Sequence, residues 1–195
     1  MHSPEHQLFQ RLLSPEIADD PYNFVMFAFP WGQPNTPLHH YDGPRSWQVD
    51  VLTAIRDHIH QTRTNMVLSQ PLDVFRMATA SGRGIGKSAL VSWLSLWMMS
   101  TRLGSTTIIS ANSEPQLKTV TWGELGKWLA MAINKHWFDL SATMIRPSPH
   151  LSKIMEQVKR SPQYNYIQGK LWTEENPDAY AGAHNPLGMM VIFDE

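Results

Sequence analysis

The spacing of apolar positions changes several times along the chain, and each change predicts an element. His6 to Leu13 predicts a short helix, and Asp19-Asp20-Pro21 then breaks the chain. Phe24 to Trp31 is aromatic and apolar and runs into Pro30 and Gly32. Residues 32–44 carry prolines at 34, 37 and 44 and glycines at 32 and 43, which predicts an extended loop. From Ser46 to His60, Trp47, Val51, Leu52 and Ile55 recur at helical spacing. Strand and helix signals then alternate. Val74 to Thr79 reads as a buried strand, Gly82 to Gly86 as a loop, and Lys87 to Thr101 as a helix. Thr106 to Ser110 is a β-branched strand. Ser113-Glu114-Pro115-Gln116 has the form of a capping box, and the helix it opens is expected to reach about Lys135. Ser161-Pro162 interrupts the following stretch, and Tyr164 to Trp172 reads as strand or hairpin. Met189 to Phe193 is a continuous apolar strand. This order predicts an α/β fold with a parallel sheet covered on both faces.

Composition narrows the class. A length of 195 residues suits one domain able to bury a core, and no internal repeat is visible. Hydrophobic residues make up 42% and charged residues 17%, so the chain has the make-up of a folded protein rather than a disordered one. The formal net charge of -1 gives no global basic field, so contact with nucleic acid has to come from a local patch or from outside this chain. With no cysteine, disulfides, thiolate zinc sites and cysteine nucleophiles are excluded. The N-terminus lacks a signal-peptide pattern. The apolar stretch Ala89 to Met99 is too short to span a bilayer and is interrupted by Ser92 and Ser95. The chain therefore reads as neither secreted nor membrane-embedded.

Two segments carry chemistry. Ser81-Gly82-Arg83-Gly84-Ile85-Gly86-Lys87-Ser88 lies between an expected strand and an expected helix, as a phosphate-binding P-loop does. Its glycines let backbone N–H groups point inward, and the helix that follows adds its positive end. Lys87 is the candidate for the β- and γ-phosphates, and the Ser88 hydroxyl for Mg²⁺. Ser81 stands where the usual pattern has glycine. A glycine-rich turn with a surface lysine is the plainer alternative. Gly188 to Glu195 is an apolar strand closed by two acids, the Walker B pattern. Asp194 is the candidate Mg²⁺ ligand, and Glu195 the base that orients and deprotonates water. A Glu beside the Asp marks the ATPase branch that inserts a strand between the two motifs (ASCE type), which fits the strand at 106–110.

Other residues are less specific. Gln48 offers both a donor and an acceptor to an adenine edge, or is an ordinary polar residue on a helix. Arg83 is placed to steady γ-phosphate charge, or is a solvated loop arginine. His184, after Ala181-Gly182-Ala183, is a contact to nucleotide or DNA, or structural. His39, His40, His58 and His60 form no convincing metal set. Trp93, Trp97 and Trp122 read as core.

Together these segments resemble the large terminase subunit of tailed bacteriophages. The resemblance rests on Gly43-Pro44-Arg45-Ser46-Trp47-Gln48, on Ser81 to Ser88, on Ile108-Ile109-Ser110-Ala111-Asn112-Ser113-Glu114-Pro115-Gln116, and on Tyr180-Ala181-Gly182-Ala183-His184 followed by Val191-Ile192-Phe193-Asp194-Glu195. It implies an ATPase that drives double-stranded DNA into a capsid, with ATP and Mg²⁺ as ligands. It implies an ASCE-type P-loop NTPase fold with a central, mainly parallel sheet flanked by helices, ending after the Walker B strand. Residues 1–45 are then an N-terminal segment with the adenine-side loop, and 46–195 an incomplete ATPase domain without the family's nuclease domain. By match, Gln48 reads adenine, and Ser81, Gly82, Arg83, Gly84, Ile85, Gly86, Lys87 and Ser88 hold the nucleotide. Ser88 and Asp194 hold the metal, and Glu195, Arg83 and Lys87 are the candidate catalytic residues. Implied partners are double-stranded DNA, a small terminase subunit and a portal protein, in a ring on the capsid, in the cytoplasm of a bacterial host. With Glu195 as last residue, weak Mg-ATP binding and slow or no hydrolysis are expected. The competing readings are a helicase-like DNA-dependent ATPase and an inactive prophage-derived nucleotide-binding remnant.

Overall fold

The computed structural model describes residues 3–80, 82, 84–111, 113–171 and 184–194. The chain divides into two compact units, Met1–Lys87 and Ser88–Glu195.

The first unit is helical: α1 (Pro4–Leu12), α2 (Pro15–Ala18), α3 (Pro21–Ala28) and α4 (Ser46–Val67). Proline occupies the first turn of α1, α2 and α3, where its missing N–H costs nothing. The break at Asp19-Asp20-Pro21 is the start of α3. Asp20 Oδ1 accepts from the N–H groups of Tyr22 (2.9 Å) and Asn23 (3.2 Å), which are otherwise unsatisfied at a helix start. Asp19 is buried, and its carboxylate meets the Arg63 guanidinium of α4 at 2.6 Å. Leu12, Ile17, Phe24, Val25, Phe29 and Leu52 form the apolar core of this unit. Residues 32–44 form no regular element, as their prolines and glycines predict.

One expectation fails here. Val74 to Thr79 is not a buried strand: residues 70–80 carry no strand, and all are exposed, Val74 to 75%. An apolar run becomes a strand only where a neighbour takes up its N–H and C=O groups.

α5 (Lys87–Thr101) starts at the last residue of the first unit and continues into the second, where β1 (Thr106–Ala111) follows. A π-helical turn (Gln116–Thr121) leads into α6 (Trp122–Met131). Then come β2 (Phe138–Leu140), β3 (Met144–Pro147), α7 (Pro149–Gln157), β4 (Tyr166–Leu171) and β5 (Met189–Phe193). The strands form one sheet in the order β2-β3-β4-β1-β5. β1 runs parallel to both β4 and β5, with Thr106 opposite Tyr166 on one side and Met189 on the other.

The sheet is mixed rather than mainly parallel, because β2–β3 and β3–β4 are antiparallel. Only Ser141, Ala142 and Thr143 join β2 to β3. A link this short reverses the chain but cannot carry it back for a parallel pairing. β1 is buried at all six positions, as a strand inside a sheet covered on both faces should be. β5, an edge strand of this sheet, is only half-buried, and its Phe193 is 71% exposed.

α5 is buried from Ser92 to Thr101, serines included. The hydroxyls of Ser92, Ser95 and Thr101 donate to the carbonyls four residues back, at 2.7–2.8 Å, so none is buried without a partner. Trp93 of α5 meets Trp128 of α6 edge to face at 5.0 Å. Trp93, Trp97 and Trp122 are all core, as read from the sequence. Among the described residues no helix is long and apolar enough to cross a membrane.

Candidate functional site

The glycine-rich segment leads straight into α5. Gly84 (φ +72°) and Gly86 (φ +94°) both adopt the left-handed region that side chains disfavour. A Cβ at Gly82 or Gly84 would meet nothing within 4 Å, so an incoming group finds open backbone there. Lys87 and Ser88 are the first two residues of α5, where helix N–H groups have no partner within the helix and the dipole favours an anion. The donor chemistry therefore fits a phosphate. Ser81 and Arg83 lie outside the described residues.

Gln48 belongs to this loop. It is 3% exposed, in the first turn of α4. Its Oε1 accepts from the Arg45 N–H at 2.9 Å, and its Nε2 donates to the Gly86 carbonyl at 2.9 Å. The amide thus ties the start of α4 to the last glycine of the loop. Each end keeps one further hydrogen-bonding position. The role the structure displays is nevertheless support of the loop, where the sequence suggests contact with a base. Gly86→Ala should test that support. The new Cβ would lie 2.9 Å from Gln48 Nε2 and would force a left-handed backbone on alanine. A loss of about 1–3 kcal/mol in stability is expected. A urea denaturation curve superimposable on that of the parent protein would show the loop does not need this geometry.

The acidic end of β5 is built separately. β1, β4 and β5 are parallel, so their carboxyl ends share one edge of the sheet. The chain leaves β1 to build β4 on one side and later β5 on the other. Ligands of open α/β sheets sit outside the carboxyl ends at such a reversal. Asp194 stands there. Its N–H extends the ladder to the Ser110 carbonyl at 2.8 Å. Its Oδ2 accepts from the Thr121 hydroxyl at 2.6 Å, and its backbone carbonyl accepts from Gln116 Nε2 at 3.0 Å. Oδ1 has no hydrogen-bond partner among the described residues, and a hard carboxylate oxygen suits Mg²⁺. Glu195 lies outside the described residues.

The capping box expected at Ser113 is only half made. Ser113 Oγ accepts from the Gln116 N–H at 3.4 Å. The Gln116 side chain does not return to the cap, because Asp194 takes it. The helix also ends at Met131, short of Lys135, where Ala132 turns to extended backbone. Nearby, Lys118 donates to Glu114 and holds that exposed carboxyl below its ordinary range. Thr121 was invisible to sequence reasoning, since at α-helical spacing a residue five after Gln116 faces elsewhere. Ala181-Gly182-Ala183 lies outside the described residues, and His184 is exposed. Among the described residues no cluster of three or more His, Asp or Glu is arranged to hold a metal ion.

Comparison with family models, with curated proteins and with solved structures finds no match to this chain.

Proposed function

We propose that this chain binds Mg-ATP and is the ATPase part of a DNA-packaging motor of the large-terminase kind, built on a P-loop NTPase fold of the ASCE type. One observation carries the reading. A glycine-rich loop turns at Gly84 and Gly86 directly into the N-terminus of α5, and a buried Gln48 holds its last carbonyl. An anion placed there meets backbone donors, the helix dipole and the Lys87 ammonium together. Asp194, at the carboxyl end of β5, is the second support.

Ser88 and Asp194 would hold Mg²⁺, which when bound offsets charge on the phosphates. Lys87 binds the β- and γ-phosphates, and Arg83 opposes charge that builds on the γ-phosphate. Glu195 orients the attacking water and accepts its proton. The terminase assignment, with double-stranded DNA as the load, rests on the order of the four sequence segments.

Steady-state phosphate release with and without DNA tests it. The expected result is slow, Mg²⁺-dependent release that double-stranded DNA accelerates. Acceleration by single strands alone would favour a helicase-like ATPase. ATP binding with no turnover under either condition would leave a nucleotide-binding remnant.

A further inference from the structure

We propose that the π-helical turn Gln116–Thr121 is a positioning device for Asp194, with Thr121 fixing the carboxylate so that Oδ1 faces its cation. This inference rests on the Mg-nucleotide reading above and names the residues that prepare the metal ligand.

The geometry explains why a π-helical turn is needed. In an α-helix, residues five apart point about 140° away from each other. The wider π turn closes its hydrogen bond at roughly five residues, which brings such residues back onto one side. Gln116 and Thr121 are the first and last residues of the turn. Both reach Asp194, one at its backbone carbonyl and the other at its side chain. A regular helix could present one of them to Asp194 but not both. π turns are rare and are frequently found at functional sites.

The two contacts do different things. Gln116 fixes the backbone where β5 ends, so the carboxylate starts from a defined point. Thr121 is 1% exposed, and its hydroxyl gives a charged acceptor a short bond at 2.6 Å. With Oδ2 held, the carboxylate cannot rotate freely about its own axis, and Oδ1 keeps one direction. Partners of this sort, which orient a metal ligand without touching the metal, commonly govern metal affinity. The turn also rests on the sheet, where Leu117 packs over Gly169 of β4; a Cβ on Gly169 would sit 3.2 Å from that leucine. The turn is thereby seated on the same sheet that carries Asp194.

The test separates the metal from the nucleotide. ATP affinity is measured by calorimetry across a Mg²⁺ series and in EDTA, for the parent protein, Thr121→Val and Thr121→Ser. Thr121→Val keeps the shape and removes the hydroxyl. It should raise the Mg²⁺ needed for half-maximal strengthening of binding by roughly 10–100-fold, the range for losing such a partner. Affinity in EDTA should stay unchanged, and Thr121→Ser should restore the parent's Mg²⁺ requirement. A parental Mg²⁺ requirement in Thr121→Val would overturn the inference and leave the nucleotide reading intact. An equal loss with and without Mg²⁺ would also overturn it, because Thr121 would then be merely structural. No ATP binding by the parent protein would sink the nucleotide reading and this inference with it.

Discussion

Lys87→Ala is expected to cost the protein most of its affinity for Mg-ATP while leaving its fold intact. Lys87 is the first residue of α5 and follows the left-handed Gly86. Without its ammonium the phosphates lose one charge-assisted hydrogen bond and keep the backbone donors, the helix dipole and the other proposed cations. A hydrogen bond to a charged group contributes about 1.5–3 kcal/mol. That corresponds to a rise in Kd of roughly 10–150-fold. Alanine is the best helix former, so α5 should not weaken. Calorimetric titration gives the Kd, and a thermal melt gives the stability. A Kd equal to that of the parent would remove Lys87 from the site. A loss of binding matched by a lowered Tm would show that the substitution acts through folding instead.

The largest effect on stability is expected at Trp137. Its side chain is fully buried, and it stands immediately before β2. Its N–H donates to the Asn134 carbonyl at 2.9 Å, and its own carbonyl accepts from the Ser148 N–H at 2.7 Å. The indole meets Phe138 edge to face at 6.4 Å. Trp137→Ala removes the largest fully buried side chain and leaves a cavity that backbone pinned on both sides cannot readily close. The cost should be about 3–5 kcal/mol. That is a large part of the roughly 5–15 kcal/mol by which domains are stable. The urea midpoint should fall steeply, with the β2–β3 end of the sheet the first to lose amide protection. A change below about 1 kcal/mol would mean that this indole is not the core residue the structure shows.

Some of this architecture could be read from residues alone. The helix at Lys87–Thr101 and the strands at Thr106–Ala111 and Met189–Phe193 fall where the pattern put them, because each is bounded by turn residues and has a clear apolar signal. The loop glycines were legible for the same reason. Val74 to Thr79 shows the limit of that logic: its composition is strand-like, but a strand depends on a partner that composition does not name. Mixed sheet direction was hidden in the three-residue link after Leu140. Gln48 and Gly86 are far apart in sequence, so their hydrogen bond had no local signature. Thr121 was hidden most deeply. Its pairing with Gln116 on Asp194 depends on a π register, and nothing in Leu117-Lys118-Thr119-Val120 announces one.

The proposed function requires that this chain bind ATP together with Mg²⁺. Calorimetric titration of ATP into the unmodified protein, once with saturating Mg²⁺ and once in EDTA, tests it most directly. Saturable binding that Mg²⁺ strengthens is expected. The absence of saturable heat in both titrations, at ATP up to about 1 mM, where binding would correspond to roughly -4 kcal/mol, would contradict it.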